Sequence, residues 1–173
     1  MAKNNITVQD VKDAQEKWAN RIIDRDSAEV AKLYAQSGDN WYRDKRPKPE
    51  KCVLAFNPTL DDNILTTSDQ ALRYFEGTDE KPGFAKKGWL KVIFDPKEHP
   101  KAQRLITITG DGAVAVGRYV FEFEDVVLDS AGGQVLAVVR LAVDYTFVYK
   151  LVGGDLIIIA HHSSLPLAQK TVK

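Results

Sequence analysis

The sequence predicts an α+β domain in which about three N-terminal helices pack on a strongly curved, mainly antiparallel sheet. Three observations carry that expectation. Apolar residues recur at helical spacing in the first part of the chain. The second half consists of long runs of β-branched and aromatic residues separated by glycine-rich turns. The bulk numbers, 173 residues of which 44% are hydrophobic and 28% charged, suit one domain spanning residues 1–173 around one core.

Each element has a local reason. Thr7 is an N-cap with Asp10 in the capping-box position, and Val8, Val11, Trp18 and Ile22 then mark a helix ending near Asp24 to Asp26. Ser27 caps a second, shorter helix through Ala28, Val30, Ala31, Leu33 and Tyr34, stopped by Ser37-Gly38-Asp39-Asn40. The charged, proline-rich Lys45 to Lys51 reads as a solvated loop, and Trp41 and Tyr42 as aromatics that pack a loop down. Cys52 to Phe56 is a buried strand, ending at Asn57-Pro58. Ser68 caps a third helix, with Ala71, Leu72 and Phe75 on its apolar side and Gly77 closing it. A strand from Trp89 to Phe94 follows.

The last four strands, Arg104 to Thr109, Ala113 to Val127, Gln134 to Val152 and Asp155 to Ser164, form a meander, joined by turns at Gly110 to Gly112, Ser130 to Gly133 and Gly153-Gly154. Two of them are long enough to require bending, and Gly117 is the expected bulge or bend position. Val139, Leu141, Val143, Tyr145 and Phe147 share one parity and are expected on the convex face. An apolar sheet face calls for a partner, so a homodimer through that face is expected.

Charge and composition exclude other classes. Lys and Arg number 24 and Asp and Glu 24, so there is no basic surplus to recruit nucleic acid. The longest apolar runs, such as Leu156 to Ala160, are too short for a bilayer span, and Met1 to Ile6 lacks the apolar core of a secretory signal. With the single cysteine, Cys52, no intramolecular disulfide forms. The expected setting is the cytoplasm, with neither a nucleic-acid nor a membrane partner.

On the last strand, His161 and Ser163 alternate with His162 and Ser164, and the two faces are about equally apolar. Alternation alone does not say which pair lines a pocket. The histidines are His99, His161 and His162. Adjacent strand residues cannot easily turn both rings toward one ion, so a three-histidine zinc site is disfavoured. Asp144 or Glu122 joined to one histidine leaves a weak metal site open. Whether Arg118, Tyr119 or Arg140 reaches a pocket also stays open.

The element order resembles the nuclear transport factor 2-like superfamily, a cone of helices on a curved sheet. Within it, the His161-x-Ser163-x-x-Pro166 ending resembles the calmodulin-dependent kinase association domain. Leu54-Ala55-Phe56-Asn57-Pro58-Thr59-Leu60, Ala71-Leu72-Arg73-Tyr74-Phe75 and Lys87-Gly88-Trp89 narrow the resemblance to the iota-class carbonic anhydrases. The resemblance implies reversible hydration of carbon dioxide to bicarbonate without a metal or other cofactor. It places Thr59, Tyr74, His161 and Ser163 in one cavity, with the hydroxyls of Thr59, Tyr74 and Ser163 on bicarbonate. His161, with a reference pKa of about 6.5, is then expected to relay the proton. The competing readings are a non-catalytic oligomerisation domain and an isomerase or cyclase using a carboxylate, for which Asp144 and Glu122 are the candidates.

Overall fold

The computed structural model describes residues 5–35, 55–56, 64–65 and 68–165. The first helix, α1 (Val8–Ile23), begins as its sequence dictates. Thr7 Oγ1 accepts from the Asp10 backbone, whose carboxylate accepts from the Thr7 backbone in return. Its inward stripe is Val11, Gln15, Trp18, Ala19 and Ile22, whereas Val8 is exposed. The second helix, α2 (Ser27–Ala31), is capped by Asp26 rather than Ser27 and is shorter than expected. Tyr34 has left the helix. It forms a parallel bridge to Ile158, with the Ala35 amide on Ile158 O at 2.9 Å and the Ile158 amide on Leu33 O at 2.8 Å.

The described part of the next strand is β1 (Ala55–Phe56), and its short partner β2 (Ile64–Leu65) is an element the sequence pattern does not predict. Cys52, Trp41, Tyr42 and the Lys45 to Lys51 segment lie outside the described residues. Helix α3 (Ser68–Glu76) buries Ala71 and Phe75 but leaves Leu72 exposed. The remaining strands are β3 (Trp89–Phe94), β4 (Leu105–Thr109), β5 (Gly112–Leu128), β6 (Gln134–Val152) and β7 (Asp155–Ser164). They form an open sheet in the order β2-β1-β7-β6-β5-β3, with β4 also paired to β5. Among these strands all described pairings are antiparallel except β1 with β7, where Phe56 lies opposite His162.

The helices cover one sheet face, and the parity of that face differs from the expected one. Val143, Tyr145, Phe147 and Tyr149 are buried in the core, packed with Trp18, Phe75 and Phe121. Alternation fixes which residues share a face but not which face meets the helices. The expectation that Val143, Tyr145 and Phe147 lie on the convex side is therefore corrected. The outer face instead exposes Val114, Val126, Leu128, Leu136 and Val138.

Gly117 is not a bulge, because β5 and β6 stay in unbroken register from Gly112 to Leu128. A Cβ there would lie 2.9 Å from the Tyr145 hydroxyl and 3.2 Å from Arg104 Cα, so the glycine serves close approach. Arg104 forks onto Asp95 through Nε (3.0 Å) and Nη2 (2.8 Å) and reaches Gln15 Oε1 through Nη1 (2.9 Å). This partly buried cluster ties the start of β4 to α1 through Gln15. The break in register that matters falls on β7. Val148 faces Ala160 and Tyr149 faces Ile158, leaving Ile159 as an extra residue. His161 consequently shares the inner face with Ile158, not with Ile157 and Ile159 as simple alternation predicts.

Candidate active site

Three strands and one bridge bring the site together. Beyond the bulge at Ile159, the register sets His161 opposite Phe147 and Ser163 opposite Tyr145, both on the helix-covered face. The imidazole stacks on Phe147 at 4.0 Å and meets Trp18 edge-on at 5.5 Å, which leaves it 8% exposed. Both ring nitrogens are engaged. Nδ1 lies 2.7 Å from the Tyr34 hydroxyl, and Nε2 lies 2.9 Å from Ser163 Oγ. Trp18 Nε1–H donates to the same Tyr34 hydroxyl at 3.0 Å, and Tyr119 Oη lies 2.5 Å from Ser163 Oγ. The result is a hydrogen-bonded chain from Trp18 through Tyr34, His161 and Ser163 to Tyr119, set in an aromatic shell.

The chain is electrically neutral at physiological pH. Burial, with a smaller push from His162, pulls His161 from its ordinary 6.5 down to about 3. Burial likewise raises the Tyr34 and Tyr119 phenols well above their usual range, against which hydrogen bonds with Trp18 and Ser163 pull back. This has a consequence for stability. Between about 3 and 6.5 the unfolded chain binds a proton at His161 that the folded chain refuses. Folding free energy therefore weakens as pH falls through that window, by about 1 kcal/mol per pH unit, and this group contributes no slope above it. Urea unfolding between pH 7 and 4 should show a shallower decline for His161→Gln than for the natural chain. Equal slopes would mean that His161 titrates freely.

The structure joins His161 and Ser163 directly. Tyr74 sits half-buried on α3, stacked on Phe84 (5.7 Å) and edge-on to Phe75 (5.0 Å). Phe75 in turn lies 5.6 Å from the Tyr34 ring, so Tyr74 borders the same cluster. Thr59 lies outside the described residues; the last described position before it, Phe56, is paired with His162. Three participants escaped sequence reasoning. Trp18 and Tyr34 read as helix core, and Tyr119 was one of three open positions. The available signal was that a tyrosine or tryptophan buried on an apolar stripe needs a partner for its polar atom.

The other open positions face outward. Arg118 forks onto Asp144 through Nε (2.7 Å) and its second nitrogen (3.0 Å), with His99 Nδ1 3.5 Å away. Arg140 pairs with Glu98 at 2.6 Å and Glu122 at 3.1 Å. The two carboxylates considered for a metal or for base chemistry are thus held by arginines on the outer face. Among the described residues no three His, Cys, Asp or Glu side chains are grouped as metal ligands. No described helix is long and apolar enough to cross a membrane.

Comparison with known proteins supplies the family and the fold. The family described as metal-independent carbonic anhydrase matches residues 9–165. No curated protein matches the sequence. Among solved structures, a protein assigned as a calcium/calmodulin-dependent protein kinase II association domain from Xanthomonas campestris is 22% identical, with 97% of this chain and 94% of that chain covered and a TM-score of 0.62. A protein from Streptomyces avermitilis, assigned as a dehydratase of the nuclear transport factor 2-like family, is 17% identical, with coverage of 93% and 97% and a TM-score of 0.65. The calcium/calmodulin-dependent kinase II hub of S. rosetta is 12% identical, with coverage of 94% and 98% and a TM-score of 0.58. These likenesses establish a nuclear transport factor 2-like fold.

Proposed function

The chain belongs to the metal-independent carbonic anhydrase family, and from that premise we propose that its reversible hydration of carbon dioxide takes place where His161 and Ser163 meet, with Thr59 and Tyr74 completing the site. The observation that carries the assignment is the neutral hydrogen-bonded chain Tyr34–His161–Ser163–Tyr119 inside an aromatic shell. Carbon dioxide is small and uncharged, and apolar walls suit it. Negative charge grows on its oxygens as a water oxygen bonds to carbon. The Ser163 hydroxyl donates to that charge, and Thr59 and Tyr74 orient the water and hold bicarbonate. One donor aimed at developing charge is worth about 10²–10³-fold in rate, and alignment of the two reactants adds to it.

The proton that the water gives up leaves through neighbouring water to solvent. A zinc enzyme instead lowers the pKa of bound water to about 7 and attacks with hydroxide. His161, at about 3, is too weak a base to store the proton at neutral pH, so its part is to donate to Ser163. This replaces the proton-relay role that its reference pKa implied. Hydration measured by stopped flow should survive exhaustive chelation and stay flat from pH 5 to 9, since no group of the hydrogen-bonded chain titrates there. Activity lost on chelation and restored by one metal, or a single inflection near pH 7, would overturn the mechanism.

The same reading makes the protein an iota-class enzyme, a single domain over residues 1–173 that works in the cytoplasm as a homodimer. The exposed outer-face residues Val126, Leu128, Leu136 and Val138 support the dimer, as does likeness to proteins named for association. No observation favours an isomerase, because Asp144 and Glu122 are committed to Arg118 and Arg140.

A further inference from the structure

We propose that Tyr34, anchored by Trp18, is a positioning residue that fixes the His161 proton on Nε2 and so frees the Ser163 hydrogen to face substrate. The inference rests on the proposed site and deepens it. An imidazole between two hydroxyls can be hydrogen-bonded in either direction, and the direction decides what Ser163 does. If Nε2 carries the lone pair, it captures the Ser163 hydrogen and turns it away from the proposed substrate. If Nε2 carries the proton, it fills a lone pair of Ser163 Oγ, and the serine hydrogen is left for Tyr119 or for an oxygen of the substrate.

Three features select the second arrangement. An indole N–H can only donate, so Trp18 at 3.0 Å makes Tyr34 Oη an acceptor. Accepting that bond strengthens the phenol as a donor and weakens its oxygen as a second acceptor, the usual cooperativity of a chain. The distances agree. The 2.7 Å contact of Tyr34 with Nδ1 has the length of a hydroxyl donor, and the 2.9 Å contact of Nε2 with Ser163 has the length of an N–H donor.

The placement is also built in. Tyr34 is held to β7 by two backbone hydrogen bonds with Ile158 as partner, and the extra residue Ile159 turns His161 inward to meet it. The phenol, the bulge and the imidazole thus belong to one local unit. Trp18 closes that unit from α1 and packs on Phe147 and Tyr119 as well.

The test is nitrogen-15 NMR of the histidine rings in the full chain. With His99→Gln and His162→Gln for assignment, three histidines give an unambiguous spectrum. The expected result is a protonated Nε2 and an unprotonated, hydrogen-bonded Nδ1 at His161. Tyr34→Phe should move the Nδ1 resonance to that of a nitrogen with no donor and lower kcat about fivefold at unchanged KM, the size of one lost hydrogen bond. A proton on Nδ1 in the natural chain overturns the inference, as does a Tyr34→Phe variant with natural kcat. The natural chain's tautomer decides the matter by itself if the variant does not fold. Wild-type hydration in Ser163→Ala would instead remove the proposed site, with the tautomer unaffected.

Discussion

Ser163→Ala is expected to lower carbon dioxide hydration by about 10²–10³-fold in a protein that still folds. The size follows from the proposed role: the serine is the donor facing the developing charge, and alanine keeps the β7 backbone and its pairing with Tyr145. The cost in stability is separate. Removing Oγ leaves His161 Nε2 and Tyr119 Oη without the partner they share at 2.9 and 2.5 Å. An unpaired buried polar group costs about 1–3 kcal/mol, so the two together cost about 2–6 kcal/mol, against the roughly 5–15 kcal/mol of a typical domain. Ser163→Thr retains a hydroxyl at the same carbon and should keep much of the rate. Stopped-flow hydration alongside urea unfolding separates the two effects. An alanine variant with natural activity would show that Ser163 is only a core hydrogen-bonding residue.

Part of this site was legible in the sequence, and the division has physical causes. The capping box at Thr7 and Asp10 and the glycine turns of the meander are local, so α1 and β4 to β7 could be placed to within a residue or two. The resemblance singled out His161 and Ser163 over His162 and Ser164, and the period-two alternation that survives from 161 to 163 sets the two on one face. What failed depends on contacts between distant residues. Tyr34 carries a helical pattern, but the hydrogen bonds of its neighbours Leu33 and Ala35 with Ile158 of β7 outweigh one more turn of α2. The extra residue at Ile159 has no glycine or other local signal, and only the pairing with Val148 and Tyr149 reveals it. The buried parity of β6 follows from where α1 lies, and nothing in strands β5 and β6 alone records that. Tyr119 illustrates the consequence: its hydroxyl becomes a site group only once the inward face is known.

Gly77→Ala is expected to be the most damaging small substitution in the described chain, and Gly132→Ala separates its two causes. Both glycines have φ near 75–80° (74° and 79°), a backbone region where a Cβ is strained by about 1–3 kcal/mol. They differ in surroundings. A Cβ on Gly132 meets nothing within 4 Å, whereas one on Gly77 would lie 2.0 Å from Gly83 N, 2.3 Å from Lys81 O and 2.6 Å from Pro82 C. All three are backbone atoms and cannot rotate aside. The Gly83 amide donates to Glu76 O at 3.0 Å across this crossing, which delivers Phe84 onto Tyr74, Trp89 and Phe121. Overpacking of that kind adds about 1–3 kcal/mol. Together the two terms reach about 2–6 kcal/mol, or a fall in Tm of about 5–20 °C for a chain of this size. Thermal unfolding of the two variants should therefore differ by several degrees, with Gly132→Ala the milder. Hydration should fall in Gly77→Ala even below its melting range, because the crossing holds Tyr74 against its aromatic neighbours. Equal melting temperatures would mean that the loop between α3 and β3 opens without cost, and that Tyr74 is not fixed by it.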